Sequence, residues 1–557
     1  MFAVTLALLL ALCGPATLFS EVLTPEALLK VQRVTTAVIS PNGESIAYIV
    51  DVPRSASDDP GASYNELHLY SRTAKISRPF ITGKVRVGAP AWSPDGSTIA
   101  FMMRRGEKAQ TQVWMIPLAG GEAVQITQAE EGVLGFRWHP SGASMGYLAL
   151  APRNPAEKKL ESKGYGFVFY EENIRPRNLY MINVDRRSYQ PTMAPVQGTK
   201  GESGVPVQST TPVPDRYNTI VQDASGTTPG KQVPEPAQLT EGINVWSVEF
   251  APDGNHAAIA TSPRNLLDEN YMFQKISLLA LRDRSQSPLF TPAGKLGMYA
   301  FSPDGKHLAV AAARERSDHA VSQAYVVEVR AGSAANPAPV NLTPRNLRGH
   351  VNWVGWRDNA TILYRAGEGV QTTLSSAKPD GTDRQLLLSS EKTGVVFDGF
   401  SIARGFKGLA FSGQSPSCPG DLYFWAPGLA SIERLTTLAP ELSGTSLGTQ
   451  SVVRYKARDG LEIEGLLLSP VGYEKGKAYP LIVVVHGGPE SHYSNGWLTS
   501  YSEPGQVLAG KGYAVFYPNY RASTGYGVEF AMQGFGDPGG KEFDDVADGI
   551  DHLVSTG

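Results

Sequence analysis

Two rhythms of apolar residues divide this chain. Up to about residue 445 the apolar runs are short and are punctuated by one recurring polar turn. Its pattern is an aromatic or aliphatic residue, then Ser, His or Ala, then Pro, then Asp, Asn or Ser, then Gly. Copies are Ile39-Ser40-Pro41-Asn42-Gly43, Trp92-Ser93-Pro94-Asp95-Gly96, Trp138-His139-Pro140-Ser141-Gly142, Phe250-Ala251-Pro252-Asp253-Gly254 and Phe301-Ser302-Pro303-Asp304-Gly305. A degenerate copy is Trp356-Arg357-Asp358-Asn359. Apolar strands such as Ile46–Val50 and Ile99–Met102 follow directly. Proline presets φ at the first turn position and Asp-Gly tolerates positive φ, so each copy predicts a tight hairpin. Second strand types follow, as in Gln112–Ile116 and Asn178–Ile182.

The copies recur about every 50 residues, which suits four short strands per unit. The gap from Pro140 to Pro252 is about twice as long and predicts one unmarked unit plus an insertion. Strand starts fall near residues 39, 92, 138, 180, 250, 301, 356 and 405. With the first strand pairing into the last unit, these predict an all-β seven-bladed propeller, which leaves only short edges. An open β-sandwich array accounts less well for the even turn spacing.

From Ser451 the texture changes. Arg454–Lys456 and Leu461–Leu468 read as a hairpin around Asp459-Gly460. Pro480–Val485 is a continuous apolar strand, as in a sheet covered on both faces. Gln506–Lys511 reads as a short helix and Tyr513–Tyr517 as the next buried strand. Lys541–Ser555 places Phe543, Val546, Ile550 and Leu553 on one helical face. The alternation predicts a doubly wound α/β sheet. The strand Ala514–Tyr517 is expected to expose an unpaired edge, leaving the region after Ser451 poorly soluble and open to proteolysis.

Composition narrows the function classes. At 557 residues the chain is expected to hold more than one domain. A formal net charge of -3 with 18% charged residues gives no sign of a nucleic-acid partner or a polybasic membrane anchor. Phe2–Cys13 is almost wholly apolar but too short to span a bilayer. With Gly14-Pro15-Ala16 behind it, it predicts a signal peptide over residues 1–20 and a secreted or periplasmic protein, although no basic residue precedes it. Of the two cysteines, Cys13 and Cys418, only Cys418 would remain after cleavage, as a free buried thiol. Residues 200–236 are rich in Pro, Thr, Ser and Gly and predict a surface insertion.

Three segments carry a resemblance: Val483-Val484-Val485-His486-Gly487-Gly488-Pro489, Asn519-Tyr520-Arg521-Ala522-Ser523-Thr524-Gly525-Tyr526-Gly527, and Asp544–Leu553. In this order they resemble the opening of the α/β-hydrolase domain of the prolyl oligopeptidase family of serine peptidases. The resemblance extends over most of the chain. It implies a propeller over residues 21–445 and the N-terminal part of a peptidase domain over 446–557. Gly487 and Gly488 match the family's oxyanion loop, where glycine lets backbone N–H groups approach a substrate carbonyl. Asn519 and Arg521 match an Asn-x-Arg-Gly-Ser segment near the active site, as substrate contacts or as a structural loop. Ala522 stands where the family has Gly, and Pro538 where Trp is common. Glu171 and Glu172 are candidates to hold a substrate's amino terminus, against a plain acidic turn beside Arg175 and Arg177.

No Gly-x-Ser-x-Gly stands on a strand-to-helix turn after the last helix, so the triad is expected beyond Gly557 and the 557-residue chain is expected to be inactive. His492 and Asp551 precede that turn and are not assigned to catalysis. The expected partners are short peptide substrates, with no cofactor and no metal. The competing class is a non-catalytic propeller that binds peptide or protein and carries a vestigial hydrolase remnant.

Overall fold

The computed structural model describes residues 21–556, apart from 107–108, 167–170, 185–233, 331–337, 344–346 and 489. The apolar N-terminal run, Phe167–Tyr170, Pro489 and most of the 200–236 stretch therefore lie outside the described residues.

Between Arg33 and Arg434 the described chain forms seven consecutive four-stranded antiparallel sheets. They begin at Arg33, Val87, Val133, Asn244, Leu296, Gly349 and Val396. Strands pair in chain order within each sheet. The recurring turn joins the first strand to the second. Its glycine adopts the left-handed conformation, with φ of 79° at Gly43, 74° at Gly96 and 72° at Gly305. The preceding Asn or Asp does not share that conformation. Instead Ser93 Oγ donates to Asp95 Oδ1 (2.6 Å) and Ser302 Oγ to Asp304 Oδ1 (2.7 Å). The carboxylate thus ties the turn down rather than supplying a second positive φ.

The residue ahead of the turn has its own task. Trp92 Nε1 donates to Val38 O (2.8 Å), Trp138 Nε1 to Ala91 O (3.3 Å) and Trp356 Nε1 to Ala300 O (2.9 Å). Each indole stitches its sheet to the one before it. Apolar clusters fill every junction. Ile49 and Leu67 meet Phe101 and Trp114 between sheets one and two, and Phe290 meets Tyr299 and Leu308 between four and five. Val34, Tyr48 and Val50 meet Ala410, Leu422 and Phe424 between one and seven, so the series closes on itself.

Three expectations are corrected. The first strand pairs only with its own neighbour, Ser45–Val52, and no strand is shared across the closure. That seam holds Ile39 N–H on Ser401 Oγ (3.0 Å) and Arg404 N–H on Pro41 O (3.1 Å). Such bonds net about 1 kcal/mol each, against roughly 1.5–3 kcal/mol for each large apolar side chain buried there, so packing closes the ring. The strand start near residue 180 is the third strand of sheet three, Arg177–Asn183. The long gap holds no extra unit among the described residues. Sheet three spans it, with Ala237–Gln238 as its fourth strand.

From Gln450 an eighth, mixed sheet runs in the order Gln450–Lys456, Glu462–Leu468, Ala514–Asn519, Leu481–Val483. The last pair is parallel. Helix Gly505–Gly510 covers one face through Leu508 and Ala509 against Leu466, Val515 and Tyr517. Helix Lys541–Thr556 lies over the other, where Leu553 joins Tyr455, Ile463 and Phe516. Ala514–Tyr517 is therefore not an edge, being paired on both sides; the edge strands are Gln450–Lys456 and Leu481–Val483.

The helix face also differs from expectation. Asp545 and Gly549 are the buried positions, while Phe543 is 68% exposed. A Cβ on Gly549 would lie 2.7 Å from Tyr455 Oη and 2.8 Å from the Phe516 ring, so the helix approaches the sheet through its glycine. The first described residues belong with this unit: Leu23 and Val31 pack on Leu442, Trp497 and Val507. No described helix is long and apolar enough to cross a membrane.

Candidate active site

The loop after strand Leu481–Val483 carries His486, Gly487 and Gly488. Gly488 has φ +134°, and a Cβ there would sit 2.8 Å from Glu490 N, so only glycine fits. Gly487 is under no such constraint, since an added Cβ meets nothing within 4 Å. Both glycines are exposed, and among the described residues neither N–H has a hydrogen-bond acceptor.

Tyr520 organises this loop. Its hydroxyl donates to His486 O (2.5 Å), and its ring stacks on the imidazole at 4.5 Å. A trans peptide turns its C=O and N–H opposite ways, so the carbonyl held by Tyr520 orients the Gly487 N–H away from it. Burial pushes the Tyr520 hydroxyl up to about 12, which keeps it a donor. Tyr520 stood inside the quoted Asn-Tyr-Arg segment without being singled out; no period or spacing marks it as an orienting group.

A serine and a histidine do meet here. His486 Nε2 lies 2.9 Å from Ser523 Oγ. Ser523 is fully buried and donates its own proton to Tyr520 O (2.6 Å). The imidazole is therefore the donor in the Ser523 contact, and burial lowers its pKa so that it stays neutral. No carboxylate touches this ring among the described residues. The pair is a structural clamp with the proton on the wrong partner for nucleophilic activation.

Asn519 and Arg521 are consumed by the fold. Asn519 is fully buried; its Oδ1 accepts from Tyr493 N–H (2.7 Å), and its Nδ2 donates to Tyr493 O (3.0 Å) and Tyr526 Oη (2.9 Å). Arg521 Nε and Nη2 grip Asp545 at 2.9 and 2.6 Å, and Nη1 reaches Asp459 at 2.8 Å. Hydrogen bonds to Asp545 outweigh desolvation and raise the guanidinium pKa further. The structural side of the two open roles is the one this geometry displays. Glu171 and Glu172 are exposed on a turn, far in sequence from this loop, and Glu171 has φ +56°. Their neighbour Arg175 pairs with Glu131 instead (3.4 Å), and Arg177 covers the Trp246 ring at 4.3 Å.

His492 is also no free base. Its Nδ1 is 2.8 Å from Thr524 Oγ1, and burial drops its pKa to about 3. Asp551 is exposed on the terminal helix. Cys418 is free and buried, donating to Asp421 Oδ2 (3.3 Å); burial pushes the thiol up to about 11.

A cavity of 520 Å³ opens beside Gly488. Tyr520, Phe535, Pro538 and Glu542 line it from the α/β unit, and Asp318 and His319 from sheet five. The cleft thus straddles the ring and the α/β unit. Chemically it offers two unengaged backbone donors at the end of a parallel strand, at the mouth of a polar-edged cleft. Donors so placed stabilise a carbonyl oxygen as it gains charge.

The Prolyl oligopeptidase family profile matches residues 499–557. The chain is 25% identical over 562 residues to an uncharacterized peptidase, YuxL, of Bacillus subtilis (strain 168), covering 96% of this chain and 76% of that protein. It is 23% identical over 558 residues to a dipeptidyl-peptidase 5 of Porphyromonas gingivalis, covering 96% and 73%. Among solved structures, the acylaminoacyl peptidase of Pyrococcus horikoshii superposes with a TM-score of 0.67 at 18% identity, covering 96% of this chain and 72% of that one. An acylaminoacyl peptidase bound to Z-Gly-Gly-Phe-chloromethyl ketone gives 0.68 at 18%, with the same coverage. The solved structures share the architecture built above, a propeller-type array of four-stranded sheets joined to an α/β unit, and residues 499–557 match the prolyl oligopeptidase family.

Proposed function

We propose that the protein is a serine-type peptidase acting on short peptides, with Gly487 and Gly488 N–H as its oxyanion donors and the seven sheets as blades of a propeller covering the cleft. One observation carries this reading: two glycine amides without acceptors, exposed beside a 520 Å³ cleft that both units line. A binding propeller with a remnant domain gives no reason for such a pair of donors. The relatives' names, a dipeptidyl-peptidase and acylaminoacyl peptidases, support an exopeptidase acting on the amino-terminal end of short peptides. Glu171 and Glu172 are proposed contacts for that end, with Asn519 and Arg521 shaping the loop beneath it.

Ser523 is not the nucleophile in this reading, since its proton is committed and its hydroxyl is buried. Nucleophile, acid and base are not assigned among the described residues. A leader peptide at residues 1–20 and export from the cytoplasm belong to the same proposal.

The test uses the protein purified from its native host. It receives a fluorophosphonate probe, free-amino dipeptide amides and N-acetylated amino-acid amides. Labelling at a serine other than Ser523, with release of product, is expected. Labelling at Ser523, or neither labelling nor turnover by the native protein, overturns the assignment.

A further inference from the structure

The residue that follows the candidate oxyanion loop reaches into the ring. Glu490 Oε1 lies 2.6 Å from Lys295 Nζ, which immediately precedes the first strand of sheet five. The same Nζ holds Asp318 through Oδ1 (2.9 Å) and through the backbone carbonyl (2.9 Å), and it lies 5.7 Å from the Tyr271 ring centroid. Lys295 and Glu490 side chains are only 17% and 24% exposed, so solvent screens this bridge poorly. The other oxygen, Glu490 Oε2, is buried without a partner, which makes Lys295 the group that compensates the carboxylate.

The bridge lies close to Gly488. The position a Gly488 Cβ would occupy is 2.8 Å from Glu490 N, so Gly488 and Glu490 are in close contact. A shift of the Glu490 backbone therefore reaches Gly488. The rest of the loop is fastened to other sheets by neutral contacts. Asn495 N–H donates to Val370 O (2.7 Å), Trp497 N–H donates to Gln414 Oε1 (3.2 Å), and His492 lies under Gly367. Lys295–Glu490 is the one ion pair among these ties, and it is the tie nearest the glycines.

We propose that Lys295 and Glu490 are positioning residues through which docking of the ring sets the geometry of the Gly487–Gly488 donors. The ring then does more than cover the cleft: when the two units part, the bridge breaks and the donor loop loses its fixed shape. The proposal rests on the oxyanion reading of those glycines. Its test reads loop order rather than chemistry, so failure of one is distinguishable from failure of the other.

The test is hydrogen–deuterium exchange of the segment 486–495 in the 557-residue chain. That segment contains the Tyr493 amide, which is bonded to Asn519 Oδ1, and the Asn495 amide, which is bonded to Val370 O. Glu490→Gln and Lys295→Met are each expected to speed its exchange at least tenfold. Exchange in the sheet-five strands, His307–Ala313 and Ser322–Glu328, is expected to stay at wild-type rates. The exchanged pair, Lys295→Glu with Glu490→Lys, is expected to restore slow exchange. Wild-type exchange in both single variants, a uniform rise through sheet five, or no recovery in the exchanged pair would each overturn the proposal.

Discussion

Adjacent glycines in this chain have opposite tolerances. Gly488→Ala places a Cβ 2.8 Å from Glu490 N at φ +134°, a strain of about 1–3 kcal/mol. Gly487→Ala meets open space and is expected to change stability by less than about 0.5 kcal/mol. Urea unfolding of the two variants checks the contrast. Ala522 presents the reverse case. It holds φ +75° with its methyl fully buried, and the left-handed conformation costs an L-residue roughly 1–2 kcal/mol. This is the position where the resemblance led us to expect glycine, so the departure noted in the sequence corresponds to real strain. A Cβ on Gly534 would come 2.5 Å from the Ala522 methyl. Gly534→Ala is therefore expected to destabilise by about 1–3 kcal/mol, and Ala522→Gly added to it is expected to recover most of the loss in the same denaturation experiment. Gly488 was readable as a special position because the His-Gly-Gly-Pro run ends a strand. The clamp made by Tyr520, Ser523 and His486 was not, because it depends on which proton each group commits and not on residue spacing.

Helix Lys541–Thr556 shows how a segment legible in outline can present an unforeseen face. Its 3.6 period and extent were evident, yet the apolar stripe through Phe543 was a poor guide to what is buried. A buried carboxylate at Asp545, met by Arg521 from the loop before it, decides the orientation. Only tertiary pairing makes an aspartate a core residue. Removing one partner leaves an uncompensated charge, so Asp545→Asn and Arg521→Ala are each expected to cost about 3–5 kcal/mol. Hydrogen exchange across Lys541–Thr556 should rise, with Gly549, Leu553 and the Arg458 ion pairs to Asp544 and Asp548 (both 2.9 Å) left as the remaining anchors. The turn that marks the first five sheets, and in degenerate form the sixth, was legible as a turn. What it does between sheets was not: the indole of Trp92, Trp138 or Trp356 points its N–H at the preceding sheet, and a one-dimensional pattern carries no sign of that.

At the scale of the molecule, the junction between ring and α/β unit hides two histidines. His350 is partly buried, its Nδ1 accepting from Ser322 N–H (3.3 Å), and its pKa falls to about 4 through desolvation, then Arg365 and Lys295. His492 falls to about 3 through burial, then His350 and Arg365. Both folded values lie below the ordinary 6.5, so the unfolded chain takes up these protons first. Their contribution is whole above about pH 6.5 and drains away as pH falls toward 4. The urea midpoint is expected to drop across that window, and His350→Gln combined with His492→Gln to flatten the drop. The recurrence of the turn and the change of texture at Ser451 were legible because hairpin chemistry and hydrophobic period are local; the count was not, since it took Arg177–Asn183 for the start of a separate unit and shared the first strand across the closure. The way the ring closes was not, since side-chain burial between residues nearly 400 positions apart leaves no local mark. Sheet three adds a practical corollary. Val184, the last described residue before 185–233, donates its N–H to Ala143 O (2.8 Å), and Ala237–Gln238 pairs with Arg177–Asn183. The two points lie at the same end of the sheet, and closing a connection between them costs only about 0.6 kcal/mol more for each doubling of its length. A fluorescent protein or affinity handle grafted between those two points is expected to leave sheet three intact, which circular dichroism and urea unfolding of the fusion would check.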